Sequence, residues 1–261
     1  MTSTLAQKKI NFPNGMECYY ISSREETEYI YSEIFVDQQY LKNGITIQEG
    51  DCIFDLGANI GLFALFLNQL PTRLEIYSFE PIPDTFAVLS ENVKLHSLND
   101  ISLFNYGLSS ENNPEQIFTF YPNMAGNSTT KPDDTIADED DILDRDSNAE
   151  KVENLYQHLF AEKTQIKCAI RTLSSVIEEL KIESIDLLKI DVEGEEYEVL
   201  KGIEEKHWSK IKQIIGEFHD KAGRLEKVKT LLSKHGFTIT LEKREGLPST
   251  FVNIYNLYAM R

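Results

Sequence analysis

Three cysteines in 261 residues, Cys18, Cys52 and Cys168, are too few and too scattered for a disulfide framework, and no CxxC pair or Cys/His cluster accompanies them to hold structural zinc. They read as buried thiols. Basic residues are also scarce. The 26 Lys and Arg stand against 43 Asp and Glu, a formal charge of −17, which argues against a nucleic-acid partner because phosphate backbones are bound by clustered cations. No apolar run approaches the roughly 18 residues of a membrane helix. The lysines in MTSTLAQKKINFPNG precede no apolar stretch, so no secretory signal is read and the cytoplasm is the expected address. No segment repeats. A hydrophobic share of 41% with 14 Phe and 12 Tyr excludes global disorder and suits a single α/β domain.

What is present is an alternation of strands and helices. Strand 52–56 leads to helix 60–70, strand 74–80 to helix 84–96, and strand 101–106 follows. Further on, IKCAIRT (166–172), IDLLKID (185–191) and IKQIIGEF (211–218) read as strands between helices at 173–180, 195–201 and 222–235, and 237–244 with 250–260 closes the sheet as a hairpin-like pair. This rhythm predicts a parallel sheet with right-handed crossovers and ligands at the carboxyl ends of its strands. Ahead of it, Ile30, Ile34, Tyr40 and Leu41 share helical spacing over 30–41, so residues 1–44 form a helical element that either caps the mouth of the domain or covers a sheet edge.

One stretch breaks the rhythm. EQIFTFYP (115–122) alternates like a strand, but 123–150 lacks any core-forming pattern, and nine acids with one arginine fall between Asp133 and Glu150. An apolar stripe of Val152, Leu155, Tyr156, Leu159 and Phe160 follows. Residues 122–165 therefore read as an acidic insertion, an active-site lid or a solvated decoration, between core segments 45–121 and 166–261.

Four strand ends carry polar residues that a core does not need. In DCIFDLGANIG (51–61) a buried strand stops at Asp55 in a bend through Gly57, Asn59 and Gly61, the architecture of nucleotide-like sites. Glu80 ends the second strand, 25 residues after Asp55, where a carboxylate accepts both hydroxyls of a ribose. The run G-A-N-I-G lacks the middle glycine that a pyrophosphate requires, so S-adenosylmethionine (SAM) fits better than a dinucleotide, and a dinucleotide oxidoreductase is disfavoured. At the third end, LLKIDVEGEE, Asp191 and Glu193 project beside the expected cofactor tail, although a helix N-cap with first-turn acids explains part of the pattern. At the fourth, GEFHD, strand alternation puts Glu217 and His219 on one face as a carboxylate–imidazole general-base pair, whereas His96, His158, His207 and His235 read as ordinary structural histidines. Asp191, Glu217 and His219 would also make a mixed Mg²⁺ or Mn²⁺ site, but no dedicated cluster is visible and metal is the weaker reading.

Taken in order, DLGANIGLFALFL, FEPIPDTFAVLSENV, LFNYGLSS, LLKIDVEGEEYEVLKGI and GEFHD resemble the FkbM family of SAM-dependent methyltransferases over residues 45–260. ETEYIYSEIFVDQQYLKNGI, FYPNMAGNS and HDKAGRLEKVKTLLSKHGF are similar to O-methyltransferase domains of polyketide synthases and mixed peptide–polyketide assembly lines. The resemblance implies a class I, Rossmann-like α/β fold. Its sheet would have seven mostly parallel strands, one antiparallel strand in the last pair, and helices on both faces. It implies methylation of a hydroxyl on an intermediate carried by an acyl carrier protein. SAM would touch Asp55, Gly57, Asn59, Gly61, Glu80 and the turn Gly107, Leu108, Ser109, with Asp191 near the methionine end. His219 would be the base, Glu217 its partner, and Tyr31 and Tyr40 would line the pocket. An acidic carrier would meet an acidic chain, so docking would use Lys221, Arg224, Lys227 and Lys229 or rely on the covalent tether. Alternatives are a free-standing family member acting on a sugar or small molecule, and a SAM-binding module without catalysis.

Overall fold

The computed structural model describes residues 8–132, 160–244 and 253–261. Its centre is β3 (Cys52–Leu56), in which every residue is buried. A strand inside a parallel sheet is covered on both faces, which is why CIFDL shows no polar alternation beyond Asp55. On one side it pairs in parallel with β4 (Glu75–Phe79), which pairs with β5 (Ile101–Phe104), and on the other with β9 (Leu187–Ile190), which pairs with β10 (Gln213–Asp220). The hairpin β11 (Thr238–Lys243) and β12 (Asn253–Met260) completes a seven-stranded sheet of order β11-β12-β10-β9-β3-β4-β5. β12 is antiparallel to both neighbours, the one reversal the resemblance implies.

Alternation along the strands splits the core in two. Ile53 and Leu187 enter one cluster, Phe54, Leu56, Leu188 and Ile190 the other. Asp55 and Lys189 are register partners. Alternation puts them on the same face as Ile53 and Leu187, as an ion pair embedded in that layer. Helix α2 (Leu62–Leu67) is buried on all sides, so LFALFL has no polar stripe. Each of its larger side chains contributes roughly 1.5–3 kcal/mol by leaving water. Helix α3 (Pro83–Leu95) starts with Pro at its first turn. Helices α4 (Leu173–Leu180), α5 (Glu196–Lys201) and α6 (Arg224–Lys234) complete the described helical layers.

Three features depart from expectation. Residues before β3 contain a hairpin, β1 (Lys8–Asn11) with β2 (Glu17–Tyr20), which period-2 spacing over four residues does not reveal. The buried Asn92 side chain fastens it to the glycine bend, accepting from Tyr19 N at 2.7 Å and donating to Ile60 O at 2.8 Å. The helix expected over 30–41 begins earlier, as α1 (Arg24–Tyr31) capped by Ser23, then widens into a π turn (Ser32–Val36) and breaks at Gln38, φ 47°. Finally, strand 166–172 is not in the main sheet. It forms β8 (Thr164–Arg171) between β6 (Gly107–Leu108) and β7 (Asn113–Phe120) in a separate three-stranded sheet. Most of the acidic insertion and its apolar stripe lies outside the described residues; Phe160 meets Tyr121 edge-on at 4.9 Å.

Candidate active site

The carboxyl ends of β3, β4, β9 and β10 open on a cavity of about 770 Å³. Its floor begins at Gly57. With φ at +75°, and a Cβ that would fall 1.7 Å from the Asp191 carbonyl oxygen, only glycine fits where the bend crosses the end of β9. Two features aim the bend at the second strand: Gly57 and Ala58 N–H groups both donate to Phe79 O at 3.0 Å, and Asn59 N–H donates to Glu80 Oε2 at 3.0 Å. Glu80 Oε1 accepts from Ile82 N at 2.9 Å. Burial pushes this carboxyl up to about 7 despite those two donors. It therefore gains from further donors such as ribose hydroxyls.

Under the bend sits Lys189, 3% exposed. Its ammonium donates to Gly57 O at 3.0 Å and lies 2.9 Å from Asp55 Oδ1 and 3.7 Å from Asp191 Oδ2. The Asp55 contact is ionic rather than a directed hydrogen bond, since Oδ1 has no donor in line. Burial would discharge the lysine, but Asp55 and Asp191 outweigh it and hold the ammonium above its usual range. Tyr40 completes this corner by donating its hydroxyl to Asp191 Oδ2 at 2.8 Å. Burial, then Asp191, pushes the phenol well upward, so Tyr40 stays a donor.

The other end of the cavity is acidic and roofed by residues around α1. Carboxylate oxygens of Asp191, Glu193 and Glu217 lie within 4.8 Å of one another. Arg244, at the end of β11, pairs with Glu217 below and Glu33 above, and its guanidinium also meets Tyr29. The segment after β7 closes a side. Gly126 N–H donates to Glu26 at 2.8 Å, Thr129 Oγ1 to Glu193 O at 2.6 Å, and Asn127 Nδ2 to Glu193 Oε2 at 3.4 Å.

Among the expected site residues, Gly57, Asn59, Glu80, Gly107, Leu108, Ser109, Asp191, Glu217 and Tyr40 line this cavity. Four do not. Asp55 is fully buried beneath the bend, where it holds Lys189. Gly61 starts α2 with φ 92°, where a Cβ would press on Leu89 at 2.6 Å, so its role is packing. Tyr31 is stacked between Phe12 and Phe35, with ring centroids 4.1 and 4.7 Å away. His219 is 3% exposed behind the cavity wall.

The Glu217–His219 pair is not formed either. The two share a face, but Arg244 takes Glu217. His219 lies between Glu193, 3.4 Å from Nε2, and Glu196, 3.2 Å from Nδ1. Burial opposes a charge on the ring, yet the two carboxylates outweigh it and push His219 up to about 10. At neutral pH it is an imidazolium and has no free site for another proton. The mixed metal set changes in composition, the carboxylates close enough to share an ion being Asp191, Glu193 and Glu217. Glu193 stands where His219 was expected, and Lys189, His219 and Arg244 already answer the three carboxylates.

Lys189, Arg244, Glu33 and Glu26 are the residues that sequence reasoning left unselected, and Glu193 was placed beside the cofactor tail without a role of its own. Lys189 had a visible signal, a cation inside the apolar run LLKI aligned with the one acid in CIFDL.

The family described as the methyltransferase FkbM domain matches residues 55–239. The chain is 35% identical over 237 residues to the 31-O-demethyl-FK506 methyltransferase FkbM of Streptomyces tacrolimicus, covering 90% of both proteins. It is 34% identical over 242 residues to the methyltransferase sdnD of Sordaria araneosa, covering 89% of this chain and 90% of that one. With the AMB antimetabolite synthetase AmbE of Pseudomonas aeruginosa it shares 33% identity over 268 residues, 97% of this chain but 12% of that protein. Among solved structures, the methyltransferase FkbM from Methylobacillus flagellatus shares the fold at a TM-score of 0.53 and 15% identity, over 87% of this chain and 48% of that one.

Proposed function

The chain belongs to the FkbM family of SAM-dependent methyltransferases, and we propose that it methylates a hydroxyl of a polyketide or mixed peptide–polyketide intermediate held on an acyl carrier protein. The observation that carries this reading is that one cavity holds two unlike ends. A nucleoside end built from the glycine bend, Glu80 and the Gly107–Ser109 turn runs into a carboxylate-lined end closed by Tyr40, Glu33 and Arg244. The residues present fit SAM. Glu80 would accept the ribose hydroxyls, and the bend at Gly57 would take the methionine tail. Asp191, fixed by Tyr40 and Lys189, would answer its cationic groups.

When bound, SAM supplies an electrophilic methyl on a sulfonium. The protein's part is to align the acceptor oxygen, exclude water and receive a proton, for which alignment can supply up to ~7–11 kcal/mol. Likeness to an enzyme named for an O-methyl group supports oxygen as the acceptor atom, and likeness to a segment of a synthetase supports an assembly-line substrate. Docking through the basic patch on α6 is weakly supported. Arg224 donates to Gly194 O at 2.8 Å and Lys229 pairs with Glu226 at 2.6 Å, so presentation by the tether is the better fit.

Incubation with SAM and a carrier-bound hydroxyacyl chain tests the proposal. A gain of one methyl on the acyl chain is expected; transfer to free sugars with none to the carrier-bound chain would overturn it. If chelator abolishes transfer and Mg²⁺ restores it, the metal reading stands instead.

A further inference from the structure

Accepting the O-methyltransferase reading, on which this step rests, we infer that the Glu193 carboxylate takes the acceptor's hydroxyl proton, and that His219 is the positioning residue behind it. Among the acids lining the cavity, Asp191, Glu193 and Glu217 cluster with carboxylate oxygens within 4.8 Å of one another, and their partners separate them. Asp191 is held by the Tyr40 hydroxyl and the Lys189 ammonium, Glu217 by a guanidinium that never gives up its charge. Glu193 has the looser pairing, His219 Nε2 and Asn127 Nδ2 each 3.4 Å from its Oε2. No donor reaches its Oε1 among the described residues. Of the three, it is the carboxylate whose partners oppose a proton least.

The backbone adds an independent reason. Glu193 adopts φ 51°, a left-handed conformation that a side chain of this shape avoids, ahead of Gly194 at φ 94°. Such conformations cost about 1–3 kcal/mol and persist where the surroundings over-determine them. Here Thr129 Oγ1 grips the Glu193 carbonyl at 2.6 Å, and Glu196 Oε1 accepts from Gly194 N at 2.6 Å. The turn thus aims a partly buried carboxylate into the cavity from the end of β9, where the cofactor tail is expected. In the transfer, the acceptor oxygen forms its bond to the methyl carbon as the S–C bond breaks, and that electron pair stays on sulfur. The O–H proton passes to Glu193 Oε1 and then to solvent. His219, held charged by Glu196, keeps the other carboxylate oxygen in place throughout.

Glu193→Gln should lower kcat by about 10²-fold or more, the usual share of a positioned base, while the Kd for SAM by calorimetry stays within a few-fold. Glu193→Gly accepts the left-handed backbone and therefore folds; in it, formate should restore activity. In the ligand-free protein, ¹⁵N NMR should find both His219 ring nitrogens protonated at pH 8. Retention of most of kcat by Glu193→Gln, failure of formate to rescue a SAM-binding Glu193→Gly protein, or a neutral His219 ring at pH 8 would each overturn the assignment. A wild-type protein that methylates no hydroxyl would overturn the proposed function as well, and it shows before any variant is made.

Discussion

Replacing Arg244 by methionine probes what holds the roof of the cavity to its floor. The guanidinium joins Glu33 on the turn after α1 to Glu217 on β10, and the three side chains are only 11%, 15% and 10% exposed. Removing one partner of a buried ionic set leaves the others uncompensated, typically at a cost of ~3–5 kcal/mol. Each stranded carboxylate can escape by binding a proton, which costs at most ~3.7 kcal/mol at pH 7 but only ~1 kcal/mol at pH 5, from 1.36 kcal/mol per pH unit above an ordinary glutamate. Burial already holds Glu33 above its usual range, with Arg244 pulling it back; the substitution raises it further. A carboxyl with a raised folded pKa binds its proton more tightly in the native state. Stability is therefore lost as pH rises from the ordinary glutamate value through the raised one. Urea melts should accordingly give a loss of ~3–5 kcal/mol at pH 7 that shrinks by ~2 kcal/mol or more at pH 5. Adding Glu33→Gln and Glu217→Gln to the variant should recover most of it. If the roof opens locally instead, faster hydrogen exchange across α1 and a raised acceptor KM with an unchanged SAM affinity will report it. A loss below ~1 kcal/mol, or one equal at both pH values, without faster exchange in α1, would refute the reasoning.

Three further outcomes follow from the geometry. Gly57→Ala should abolish SAM binding in calorimetry, because its Cβ meets the Asp191 carbonyl at 1.7 Å. Glu80→Ala should weaken SAM by roughly 10- to 150-fold, the worth of hydrogen bonds to a charged group, and unchanged affinity would remove Glu80 from the nucleoside site. His219 contributes stability in full below its ordinary pKa of 6.5 and loses it as pH rises through about 10. The stability gap between wild type and His219→Asn in urea melts should therefore narrow steadily from pH 7 to pH 10.5.

Much of the sheet was legible in the sequence because buried parallel strands read as unbroken apolar runs: CIFDL and LLKI fall within a residue or two of their expected bounds. The bend and Glu80 were legible too, since their spacing follows from one βαβ unit. The second sheet was not. β7 and β8 each alternate, but nothing local says that they pair with each other rather than join the main sheet. The roof was misread in shape because inward residues at 30, 34 and 40 suit a continuous helix as well as a helix, a π turn and a 3-10 turn. Arg244 is hardest of all, since its partners lie 211 and 27 residues away and the pairing exists only once the sheet is assembled. Alternation correctly placed Glu217 and His219 on one face, yet a shared face does not make a pair when stronger partners stand on neighbouring elements.

The turn after β9 explains why donor and acceptor functions should resist separation there. Asp191 reaches Tyr40 and Lys189, Glu193 reaches His219 and Asn127, and Gly194 O accepts from Arg224. Glu195 accepts from Ser109 at 3.0 Å and pairs with Lys131 at 3.1 Å. Residues 191–195 thus join the roof, the segment after β7, the third-strand loop and β10, and the Asp191 carbonyl also sets the floor under Gly57. A substitution that shifts this backbone must move the donor's methionine end and the acceptor's proton site together. Glu80 touches only the nucleoside end, so its variants should change SAM affinity and leave acceptor KM alone. Side-chain changes that keep the turn intact, such as Glu193→Gln, are therefore the ones able to isolate the chemical step.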